Sequence, residues 1–208
     1  KPKRFWRMLA HPRTSWIRRG LISISFFLLF GFLYLLPARV ELAWTRTDAA
    51  GSALAVLSLL GVAGILLYKG FVYAVNRAIP FWNTPLLPPL YIAYALRGGI
   101  AVLFVISAVL GEARTLESAR MIEPWMVLST ALLVFFYLAG MVNAGVTSSE
   151  STRQLVRGRI SLAFYAGAVT AGLIVPIVFG LVGYFTPLTS GLLALVGACS
   201  LVGDFYVK

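Results

Sequence analysis

Six stretches of the chain are each apolar over about 20 residues or more. They are Trp16–Pro37, Gly51–Ile79, Pro89–Gly111, Pro124–Val146, Ile160–Phe185 and Thr186–Lys208. A run of that length is what an α-helix needs to cross the hydrocarbon of a bilayer. Bare backbone amides are costly in lipid, so a chain built of such runs has little choice but to form helices. Composition agrees: 60% of the 208 residues are hydrophobic and 12% are charged, about half the charge of a soluble domain. The expected fold class is an all-α integral membrane protein, a polytopic bundle with six transmembrane helices visible over residues 16–208. A basic interfacial segment is expected over residues 1–15.

The formal charge of +11 does not point to nucleic acid, because the cations sit at the ends of the apolar runs. If the spans alternate, one face gathers Lys1, Lys3, Arg4, Arg7, Arg13, Arg18, Arg19, Lys69, Arg77, Arg153, Arg157, Arg159 and Lys208, against Glu150 and Asp204. The other face holds Arg39, Arg46, Arg114 and Arg120 with Glu41, Asp48, Glu112, Glu117 and Glu123, the last three read as a solvated loop. Only Arg97 stays within the membrane. So lopsided a division fits six spans and places the basic face in the cytoplasm. In the opening segment, Trp6, Phe5, Met8 and Trp16 alternate with cations as at a headgroup layer. Arg4, Trp6, Arg7 and His11 are candidates there for docking an extrinsic partner, with a plain topology signal as the equal alternative. The chain opens on Lys1-Pro2-Lys3-Arg4 and closes on Tyr206-Val207-Lys208 inside an apolar pattern; further sequence is expected at both ends.

The polar residues inside this apolar frame concentrate between Tyr68 and Pro89 (YKGFVYAVNRAIPFWNTPLLPP). Polar groups at membrane depth are expensive and mark function by default. Tyr68 and Lys69 lie roughly 15–17 Å before Ile79 along a helix, and Arg97 lies roughly 12 Å into the next span. Two cations and a phenol at one level, with no carboxylate of this chain expected nearby, suit an anionic or carbonyl-bearing ligand. A quinone fits, since its head accepts hydrogen bonds and its tail takes an apolar groove. Lys69, Arg77, Trp82 and Asn83 complete the candidate set. Each has a plainer reading: Lys69 snorkelling, Tyr73 and Trp82 as belt aromatics, Arg77 on lipid phosphate, Asn76 and Asn143 holding helices together. Tyr68 is the residue topology explains least.

With one cysteine, Cys199, and one histidine, His11, the chain forms no internal disulfide and no bis-histidine haem site, and it offers no metal cluster. Phosphate-binding glycine loops and nucleophile–histidine pairs are absent as well. Nothing in the chain performs redox chemistry by itself. An ion or small-solute transporter or channel is the main alternative; a haem anchor and a purely structural anchor are others.

Lys3-Arg4-Phe5-Trp6-Arg7 ahead of the Ser15-Trp16 helix start resembles the NrfD family, the polysulfide-reductase and DMSO-reductase-type membrane anchors. So do Tyr68-Lys69-Gly70 and Arg77-Ala78-Ile79-Pro80-Phe81-Trp82-Asn83 and, less specifically, Gly158-Arg159, Gly172–Pro176 and Gly203-Asp204-Phe205. The resemblance covers nearly the whole chain and implies helices three to eight of an eight-helix fold. It further implies a subunit without haem or metal that binds menaquinone or ubiquinone in a prokaryotic cytoplasmic (inner) membrane. The implied partners are a ferredoxin-like iron–sulfur subunit, a molybdopterin catalytic subunit and membrane lipid. Tyr68 matches the family's fourth-helix tyrosine at the quinone. Several complexes of the family carry their catalytic subunits outside, whereas the charge partition favours a complex facing the cytoplasm.

Overall fold

The structure is a computed structural model that describes residues 15–110, 116–186 and 188–207. Among these residues six helices are long and apolar enough to cross a membrane. They are α1 (Trp16–Leu35, ending in a 3-10 turn at Leu36–Ala38), α2 (Ala49–Ala74), α3 (Leu87–Leu110), α4 (Glu117–Asn143), α6 (Ser161–Phe185) and α7 (Ser190–Val207). A shorter helix, α5 (Val146–Arg157), lies between α4 and α6. The chain divides into two units, residues 1–75 and 76–208.

In the first unit α1 and α2 form an antiparallel hairpin, held by small residues in register. A Cβ at Gly61 would stand 2.6 Å from the backbone nitrogen of Phe27, and one at Gly64 would stand 2.3 Å from the Ser23 hydroxyl. The hydrophobic effect gives no drive between helices in lipid, so such close backbone approach is what holds the pair. Gly61 and Gly64, one turn apart on α2, line this seam. At the far end Trp16 stacks on Phe71 with centroids 4.6 Å apart, and Arg19 lies over the Trp16 ring. Asp48 caps α2, accepting from the amides of Gly51 at 2.8 Å and Thr45 at 2.6 Å. Those amides, Gly51 first, hold its carboxyl below the ordinary value.

In the second unit α3 and α7 run antiparallel, with Phe104, Leu193 and Val196 as their buried apolar contact. α6 is not uniformly α-helical: Phe164–Ile174 winds as a π-helix. Its Gly172 meets Gly203 of α7 so closely that a Cβ on Gly203 would stand 2.1 Å from the Gly172 Cα. π segments are rare and frequent at functional sites.

Several boundaries differ from the sequence reading. The second span stops at Ala74 rather than Ile79, because Val75 begins the Asn76–Pro80 turn. α4 starts at Glu117, not Pro124, and carries Pro124 inside it. The last span runs from Ser190 rather than Thr186. Helix α5 is not foreshadowed by hydropathy. It turns Ser148 and Thr152 inward, both buried, so its inner face is partly polar.

Candidate functional site

The turn between α2 and α3 is set by short-range bonds. Trp82 donates its amide to Ile79 at 2.9 Å, Asn83 to Pro80 at 3.2 Å, and Thr84 to Trp82 at 2.9 Å. The Asn76 side chain accepts from the Ala78 amide at 3.0 Å, a turn contact rather than an interhelical one. Tyr137 of α4 donates its hydroxyl to the Phe81 carbonyl and packs edge-on against the Phe81 ring, which ties the turn to the rest of the second unit. Arg77 and Asn83 are exposed and Trp82 is half-buried.

Tyr68 and Lys69 belong to the first unit. Tyr68 is half-buried, its ring lying on the backbone of buried Gly20, where a Cβ would come within 2.4 Å of it. Lys69 is exposed. With α2 ending at Ala74, Tyr68 stands roughly 9 Å from its helix end, closer than the sequence reading has it. Arg97 lies roughly 15 Å into α3, deeper than expected. Asn143 is exposed at the end of α4. Arg4, Trp6, Arg7 and His11 lie outside the described residues.

Arg97 is 1% exposed. Its Nη2 donates to the Asp204 carboxylate and to the Ser200 carbonyl, the latter at 3.1 Å. The guanidinium carbon lies 5.2 Å from the Tyr94 ring centroid. The expectation that no carboxylate of this chain stands near Arg97 is therefore overturned. Counting charges from the chain end assigns Asp204 to the basic face. Its place in the last turn of α7 instead points it inward, opposite the small residue Gly98. Nε and Nη1 of Arg97 have no hydrogen-bond partner among the described residues. A groove beside the pair is lined by Gly98, Gly99, Val102, Leu201 and Phe205 together with Asp204.

Glu123 is the second correction. Expected in a solvated loop, it is 2% exposed and lies within α4, one turn after Arg120. The signal for it is Arg120-Met121-Ile122-Glu123-Pro124, which reads as helix once proline is allowed inside a membrane span. Gly180 of α6 leaves room for it: a Cβ there would meet Pro124 at 2.7 Å and a Glu123 oxygen at 3.2 Å.

Comparison with known proteins accords with this architecture. The family profile described as "Polysulphide reductase, NrfD" matches residues 1–207. The C polypeptide of polysulfide reductase from Wolinella succinogenes is 26% identical over 205 residues, covering 86% of this chain and 62% of that protein. The NrfD homolog of Haemophilus influenzae is 24% identical over 201 residues, covering 86% and 62%. The C polypeptide of tetrathionate reductase from Salmonella typhimurium is 24% identical over 164 residues, covering 78% and 46%. The chain thus spans less than two thirds of the length of these relatives. With six span-length helices and a family match from end to end, the chain is a multi-pass membrane protein that belongs to the polysulphide reductase NrfD family.

Proposed function

We propose that this chain is the quinone-binding membrane subunit of a multi-subunit oxidoreductase in a bacterial cytoplasmic membrane. It would exchange electrons between the quinone pool and an iron–sulfur subunit, which serves in turn a molybdopterin catalytic subunit. The family match over residues 1–207 is the observation that carries the reading. The relatives' names, C polypeptides of polysulfide and tetrathionate reductases, suit a membrane component of a larger assembly.

Tyr68 fits the ligand. It is half-buried with its ring against Gly20, and no hydrogen bond of its hydroxyl to another described residue is present, so a donor is free for a quinone carbonyl. A bound quinone supplies the chemistry this chain lacks, the carriage of two electrons and two protons. The chain's part is to orient the head from Tyr68, to place the Lys69 cation at its edge, and to keep bulk water away with the α1–α2 seam. Arg77, Trp82 and Asn83 belong to the second unit and are read separately, as polar groups of the membrane boundary. Arg97 fits less well as a first contact, because Asp204 already neutralises it.

Tyr68→Phe tests the reading. The substitution keeps the ring on Gly20 and removes one oxygen, so assembly should be intact. Quinol-linked turnover of the purified complex should fall by about tenfold or more, a loss of about 1.4 kcal/mol in transition-state stabilisation. Turnover with a soluble electron donor should be unchanged. Equal quinol turnover in both proteins would move the site away from Tyr68.

A further inference from the structure

We infer that Glu123 is a proton-exchange site within the membrane-spanning part, working through a water held between α4 and α6. The site rests on two observations. First, Glu123 is 2% exposed, yet its Oε1 has no hydrogen-bond partner among the described residues. Second, that side chain lines a small cavity with Arg120, Gly180, Gly183, Tyr184 and Phe104. The cavity has room for about one water molecule.

The other polar groups around it are already committed, which narrows what the cavity can hold. Tyr184 accepts from Trp125 Nε1 at 2.9 Å and donates to the Met121 carbonyl at 2.7 Å. Arg120 donates its Nη2 to the Gly183 carbonyl at 3.1 Å, while its buried Nε is unpartnered among the described residues. One buried acceptor, Glu123 Oε1, and one buried donor, Arg120 Nε, thus lack partners among the described residues on two side chains that line the cavity. A water satisfies both, and water in a polar site of this size is the ordinary solution. The charged and titratable groups around Glu123 among the described residues are Arg120 on its own helix, Tyr184 on α6 and, through its field, Arg97 on α3. Phe104, Leu193 and Val196 supply apolar lining to the same cavity.

A bare carboxylate oxygen in such a place is costly, and taking up a proton removes the cost. The exchange balances simply. The carboxyl O–H bond breaks as an O–H bond forms on the water, and the excess proton passes outward through water. Reprotonation runs the same path in reverse. Glu123 lies roughly 9 Å from the start of α4, so the path out is short and leads to the face that carries Glu117.

Infrared difference spectroscopy of the full chain in lipid tests this without any redox partner, so its outcome is independent of the quinone reading. The expected result is a protonated-carboxyl stretch that shifts in D2O within minutes and disappears reversibly as pH is raised. It should be absent in Glu123→Gln and displaced in Glu123→Asp, which keeps the carboxyl if the glutamine variant fails to fold. A wild-type protein without such a band, a band that ignores D2O and pH, or one that is unmoved in Glu123→Asp would each overturn the proposal.

Discussion

The Arg97–Asp204 pair shows how much a single residue can decide in a membrane bundle. A guanidinium 1% exposed is tolerable only beside its carboxylate, and removing one partner of a buried pair typically costs about 3–5 kcal/mol. Asp204→Asn or Asp204→Ala should therefore lower the thermal unfolding temperature in detergent sharply. The double change Arg97→Met with Asp204→Leu should be milder than either single loss, since it leaves no buried charge. Asp48 gives a surface counterpart with a defined pH sense. Its native carboxyl is held low by the Gly51 and Thr45 amides. Its contribution is therefore full above the ordinary carboxylate range and fades as pH falls through the lowered native value. Protection of the Gly51 amide against hydrogen exchange, taken relative to the intrinsic rate at each pH, should fall at low pH in the wild type; Asp48→Asn, which still caps, should flatten that dependence. Arg97 is legible in the sequence as an intramembrane charge, but its partner is not. Asp204 lies 107 positions away, and counting charges by side says nothing about which way a side chain near a helix end turns. Glu123 escapes for a related reason: Pro124 reads as a helix start, which leaves the carboxylate before it to the loop.

At the scale of elements, contact between backbones carries the packing that side-chain hydrophobicity cannot supply in lipid. The π-helical turn of α6 brings Gly172 against Gly203, one residue before Asp204. Gly203→Ala would drive a methyl into backbone that has no rotamer to escape through, and overpacking of this kind costs about 1–3 kcal/mol. Gly99→Ala on α3 meets nothing within 4 Å and should leave the stability within about ±0.5 kcal/mol of wild type. The two alanine variants, melted side by side in one detergent, separate packing from mere loss of glycine. The apolar runs announce the long helices. Their ends are less legible, because Val75, Asn76 and Pro80 end α2 through turn chemistry while hydropathy continues to Ile79. The π segment has no distinct composition in Phe164–Ile174, and α5 hides its inner face in Ser148 and Thr152.

At the scale of the whole molecule, six span-length helices among the described residues and a family match from residue 1 to 207 agree on a multi-pass membrane protein of the polysulphide reductase NrfD family. That it works within an oxidoreductase assembly is the proposed part, and it turns on whether this chain holds a quinone. The direct measurement is titration of the purified, lipid-reconstituted complex with a fluorescent quinol-site inhibitor, in wild type and in Tyr68→Phe. The account predicts saturable quenching at about one site per chain, competed by added quinone, with affinity weakened by about tenfold in the variant, or about 1.4 kcal/mol. Quenching that only tracks lipid content, or that saturates identically in both proteins, would contradict it.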